Sequence, residues 1–163
     1  MFPISKKKIL HYGFHLIEFL FFAFVVITMT VPFFQKIEII QIPDIAAWKT
    51  YDSVTITKNP SGESGYLVEG NGEQYLYQIQ SPKIRLGLLL KTYKFSLPIQ
   101  VHQGNIGVGV LNGTMGKWIV PPLAVKDRYI FNSVFNLSVY IIIANINPEP
   151  SGNPPSRFTI LQP

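Results

Sequence analysis

The chain has 163 residues, a net charge of +5, and 47% hydrophobic but only 14% charged residues, against about 25% charged in an ordinary soluble domain. That much apolar surface excludes a disordered, solvated chain. The absence of cysteine excludes a disulfide framework, a thiolate metal site and a cysteine nucleophile.

Residues 1–8 read as a basic cytoplasmic flank carrying Lys6, Lys7 and Lys8. Residues 9–34 follow as a predicted transmembrane helix in which Glu18 is the only formal charge. From Phe14 to Phe34 such a helix would span roughly 31 Å, about the thickness of a bilayer core. Lysines ahead of it place the N-terminus in the cytoplasm and the remainder of the chain outside. The run ends in Thr28-Met29-Thr30-Val31-Pro32-Phe33-Phe34, which has no small-x-small cleavage site, so an uncleaved signal anchor is expected. His11, His15 and Glu18 share one helical face at headgroup depth, and no metal site is expected from them. A deep carboxylate costs about 2.5–3.5 kcal/mol on insertion scales. The Glu18 face is therefore a candidate contact for other membrane subunits.

Lys6-Lys7-Lys8 followed by Gly13-Phe14-His15-Leu16-Ile17-Glu18-Phe19-Leu20 resembles the leader and first residues of a type IV pilin or pseudopilin. The resemblance implies cleavage after Gly13, methylation of Phe14 as the new N-terminus, and pairing of Glu18 with a neighbouring subunit's amine. A pilin continues as one long helix. Here Pro32 and Pro43 interrupt it, and Ile37-Glu38-Ile39-Ile40-Gln41-Ile42 favours a strand.

Residues 35–163 are predicted to form one extracytoplasmic domain, mainly β. Ser53 to Thr57 alternates. So does Tyr93 to His102, with Phe95, Leu97, Ile99 and Val101 on one side and Lys94, Ser96, Gln100 and His102 on the other. Ile106, Val108 and Val110 repeat the pattern around Gly107 and Gly109, and Phe158 and Ile160 close it. Period-two alternation marks strands with one buried face. Val139 to Ile143 is apolar on both faces and reads as a central strand. Turns are expected at Asn59–Gly62, Glu69–Gly72, Gln103–Asn105, Asn112–Gly116, Pro121–Pro122 and Asn147–Pro150. Their spacing predicts about eight to ten strands in one antiparallel sandwich.

Tyr93-Lys94-Phe95, Val101-His102-Gln103-Gly104, Gly107-Val108-Gly109-Val110-Leu111 and Lys117-Trp118-Ile119 are similar in rhythm to jelly-roll modules of the carbohydrate-binding kind. That resemblance implies a sugar-binding or structural sandwich at the cell envelope. Trp118, Trp48 and Tyr93 are the candidates for stacking on sugar rings, since a flat aromatic face complements the apolar side of a pyranose.

Catalysis is not expected. His102 is the single histidine beyond residue 34, and no Gly-x-Ser-x-Gly elbow accompanies it. The acids of residues 38–73 have no spacing that specifies a carboxylate pair. No cofactor, metal or catalytic residue is assigned. Lys83, Arg85, Lys91, Lys94, Lys117, Lys126 and Arg128 outweigh Asp127 in residues 83–128, but they are dispersed over strand-like sequence. They read as solvated faces and blunted edges rather than a nucleic-acid surface. The reading is a non-catalytic envelope protein, single-pass in the lipid bilayer, whose sandwich binds or scaffolds, with envelope polysaccharide or another glycan as the favoured ligand. A pilin-like subunit processed after Gly13 and an accessory subunit of a membrane complex are the alternatives.

Overall fold

A computed structural model describes residues 15–27, 36–60, 64–70, 77–87, 91–134, 136–146 and 154–161. The chain forms two compact units, Met1–Lys36 and Ile37–Pro163. In the first, residues 15–27 form a helix, α1. Leu16, Ile17, Phe19, Leu20, Phe21, Phe22 and Phe24 of α1 are all exposed. His15 and Glu18 are the only polar residues of α1, so most of its surface is apolar, a pattern usual in a helix that is covered. Among the described residues no helix is long and apolar enough to cross a membrane. The two ends of the predicted span, with Gly13 and Phe14, lie outside the described residues.

The second unit is mainly β. Its described residues form thirteen strands: β1 Glu38–Ile39, β2 Lys49–Thr50, β3 Thr55–Lys58, β4 Gly65–Glu69, β5 Tyr77–Gln80, β6 Ile84–Arg85, β7 Lys91–Ser96, β8 Ile99–Gln103, β9 Ile106–Asn112, β10 Trp118–Ala124, β11 Arg128–Ser133, β12 Ser138–Asn145 and β13 Arg157–Leu161. The count exceeds the expectation because β1, β2 and β6 have two residues each, too few to carry a period.

The strands make three sheets. The largest runs β10-β9-β12-β5-β2, with β6 also paired to β12. As expected of its apolar run, β12 lies inside, bonded to β9 on one edge and to β5 and β6 on the other. A second sheet runs β3-β4-β13-β8 and a third β1-β7-β11. Pairing is antiparallel except between β1 and β7, which is parallel. That departs from the all-antiparallel expectation. The long connection from β1 to β7 lets the two strands run the same way.

Two further expectations change. The alternating run Tyr93–His102 is two strands in two sheets, because the chain leaves β7 at Leu97-Pro98 and enters β8. Leu97 is buried, whereas Val101 is exposed. Pro121 and Pro122 do not make a turn but lie inside β10. β10 is an edge strand with two register shifts, where a missing N–H is tolerated.

Side chains from all three sheets meet in one core, which includes Ile79, Val108, Val139, Ile141, Phe95, Phe131, Val68, Phe158 and Ile160. Across β7 and β11 the rings stack in register: Phe95 on Tyr129 with centroids 4.9 Å apart, and Tyr93 on Phe131 at 5.6 Å. The interior also holds a polar link between side chains. Ser156 Oγ donates to Gln78 Oε1 at 2.9 Å, and both residues are buried.

Candidate functional site

The two faces of the six-stranded sheet differ. Odd positions of β12 (Val139, Ile141, Ile143) enter the main core, while Ile142 and Ala144 join Leu111 in a separate apolar cluster on the other face. Tyr77, Trp118 and Tyr140 pack against that cluster and are half-buried. This face carries four aromatic rings. Tyr51 meets Tyr77 edge to face with centroids 5.6 Å apart, and Tyr77 meets Trp118 in the same manner at 5.7 Å. Tyr140 joins them through Leu111 and Ile142.

Each ring is placed by a local feature of the chain. Trp118 opens β10 opposite Leu111, after a turn closed by Asn112, whose Oδ1 accepts from Gly116 N at 3.0 Å and Lys117 N at 3.1 Å. Its indole lies over Gly109, where a Cβ would come within 2.7 Å of Trp118 Cζ3. Gly109 thus clears the space that the indole occupies, whereas Gly107 makes room for Ile146 and the Leu123 carbonyl. Tyr51 follows β2 and is held by a backbone bond from its N to Gln78 O at 3.1 Å and by a short hydrogen bond from its hydroxyl to Gln80 Oε1. Gln80 Nε2 lies 3.9 Å from the sulfur of Met115, so the β9–β10 turn reaches over the same face. The Tyr77 hydroxyl is pushed above its ordinary range by burial and then by neighbouring Tyr51. It stays neutral at physiological pH and can donate a hydrogen bond.

Two cations sit at this face. Lys49 Nζ lies 4.4 Å from the Tyr51 centroid and Lys83 Nζ 5.8 Å from that of Tyr140. The arrangement offers flat apolar surface, a phenol and positive charge. None of these is a nucleophile activated by a base. Among the described residues no group of histidines and acids could hold a metal ion.

The sequence-predicted ring residues fall in different places. Trp118 is on the aromatic face. Trp48 is only 4% exposed, with its indole N–H donating to Pro43 O at 3.1 Å. Tyr93 is 2% exposed, stacked on Phe131, and its hydroxyl accepts from Gly87 N at 2.8 Å. Those two rings belong to the packed interior and present no face to a ligand. Tyr51, Tyr77 and Tyr140 were missed by sequence reasoning. Tyr140 was hidden in an apolar run, and Tyr51 and Tyr77 are brought beside Trp118 only by the strand order.

Concavities among the described residues lie elsewhere. A cleft of about 540 Å³ is lined by apolar residues that include Ile39, Ile42, Leu97, Pro98 and Ile160. A smaller one of about 320 Å³ includes His102, Gln100, Thr159 and Arg157. There His102 Nε2 and Thr159 Oγ1 are 2.8 Å apart and Arg157 pairs with Glu69. On α1, His15 Nδ1 and Glu18 Oε2 are 3.0 Å apart, so Glu18 has a partner within its own helix. No protein family matches the chain, and neither a curated protein nor a solved structure does.

Proposed function

We propose that the chain is a non-catalytic, membrane-anchored envelope protein whose β domain, a jelly-roll-like sandwich, binds glycan through the outer face of its six-stranded sheet. The observation that carries this reading is the half-exposed Tyr51–Tyr77–Trp118–Tyr140 surface. Half-buried aromatics on a sheet face combine apolar area with polar tips at low entropic cost, which is what the alternating apolar and hydroxyl surfaces of a sugar need. The half-buried Tyr77 adds a hydroxyl beside the rings.

Anchoring through the N-terminal segment is supported by the predominantly apolar exposed surface of α1 and by the lysines before it. The N-terminus is then cytoplasmic and the β domain extracytoplasmic.

The test is retention of the full-length chain, in detergent, on insoluble envelope polysaccharide. Trp118→Ala and Tyr140→Ala should each abolish most retention while the far-ultraviolet dichroism stays that of the parent. Retention unchanged in both folded variants would overturn the glycan reading. An intact-mass measurement tests the anchor: a chain starting at Phe14 with an added methyl group would replace the uncleaved anchor by the pilin-like alternative.

A further inference from the structure

We infer that the aromatic face selects acidic polysaccharide, carrying uronate or sulfate groups, over neutral sugar. This inference rests on the glycan reading above and specifies its ligand. The carrying observation is the pair of ammonium groups near the rings, Lys49 Nζ 4.4 Å from the Tyr51 centroid and Lys83 Nζ 5.8 Å from that of Tyr140. Both lysines are exposed. Among the described residues neither forms an ion pair with a carboxylate; the ion pairs there are His15–Glu18, Lys91–Glu38 and Arg157–Glu69.

The geometry divides the work among the four rings. A cation drawn towards the face of a tyrosine by its quadrupole competes with a sugar for that face. Tyr51 and Tyr140 therefore present the charges, and Trp118, which has no such cation over it among the described residues, is the freest stacking surface. The two ammonium groups come from different parts of the sheet, the edge strand β2 and the connection between β5 and β6.

The net charge of this region has the same sign. Among the described residues, the segments bearing these rings and their immediate connections carry Lys49, Lys83, Arg85, Lys117 and Lys126 against Asp44, Asp52 and Asp127. A neutral glycan would gain nothing from this charge, whereas a polyanion releases its counterions on binding, which makes the contact salt-dependent.

The experiment uses the full-length chain in detergent on an array of neutral, uronate-bearing and sulfate-bearing polysaccharides, with a thymidine oligonucleotide as a non-sugar polyanion. Lys49→Gln/Lys83→Gln is compared with the parent, since both side chains are exposed and the fold does not need them. Expected is binding to acidic members that the double variant weakens by about five- to tenfold and that rising salt weakens in the parent but little in the variant. Binding to neutral members as strong as to acidic ones, or an unchanged affinity in the double variant, overturns the inference and leaves the glycan reading standing. Binding to no polysaccharide, or to the oligonucleotide in preference, overturns both.

Discussion

Trp118 rests on the strand position that Gly109 leaves bare. A Cβ at residue 109 would lie 2.7 Å from Trp118 Cζ3 and 3.0 Å from both Pro122 N and Val120 O. The ring could move, but the backbone of β10 could not without breaking its pairing with β9. Gly109→Ala should therefore destabilise by about 1–3 kcal/mol, the range for overpacking. It should also shift the tryptophan emission and lower glycan retention. Urea unfolding and fluorescence of the variant check both effects. A variant with parental stability and emission would mean that the indole does not lie on the strand.

The stacked rings between β7 and β11 give a second prediction. Phe131 is buried against Tyr93 and Phe95, and Phe131→Ala should cost about 3–5 kcal/mol. Tyr93→Phe removes only the hydroxyl that accepts from Gly87 N, and should cost about 1 kcal/mol. The two unfolding free energies should differ severalfold. Equal losses would assign the work of this site to the hydrogen bond.

A third concerns the buried polar link. Ser156→Ala deletes the hydroxyl that donates to Gln78 Oε1 and should cost about 1–2 kcal/mol. Gly70→Ala should disturb the same pair, since a Cβ there would lie 1.8 Å from Gln78 Oε1 and 2.5 Å from Ser156 Oγ. Measured singly and together, the two changes should be non-additive. Strict additivity would show that they act at separate places.

The fourth is alkaline sensitivity. Lys91 is held above its ordinary 10.5 by its hydrogen bond to Glu38, which ties β1 to β7. The Tyr129 hydroxyl is held above its ordinary 10.0 chiefly by burial, partly offset by the hydrogen bond it accepts from Lys126 N. In both, the folded state binds the proton more tightly than the unfolded chain. Their stabilisation is complete below those ordinary values and is lost as pH rises through the higher folded ones. Stability should be flat to about pH 9 and fall above it. Lys91→Gln and Tyr129→Phe should each make the fall shallower, as denaturant titrations across that range would show.

The sequence made its long strands legible. Ile106, Val108 and Val110 alternate around small residues, and Val139 to Ile143 is apolar throughout, so β9 and the central β12 could be read directly. The two-residue strands carry no period. The break at Leu97-Pro98 preserves alternation while moving the chain to another sheet, so nothing in the pattern announced it. Of the three ring residues marked as sugar contacts, Trp118 is on the aromatic face and Trp48 and Tyr93 are inside. Residue type cannot separate them, because all three lie beside apolar strands. What distinguishes Trp118 is Gly109 on the neighbouring strand, a signal visible only once the register is known.

The ring geometry also bears on the shape of whatever lies on it. Tyr51 and Tyr77 meet at 84°, and Tyr77 and Trp118 at 82°. Three successive rings so disposed share no common plane. A flat crystalline surface could not lie on Tyr51 and Tyr77, or on Tyr77 and Trp118, at once. A single hydrated polymer strand, free to rotate about each linkage, could turn from one ring to the next. The face is thus shaped for separate chains rather than for the packed surface of a fibre.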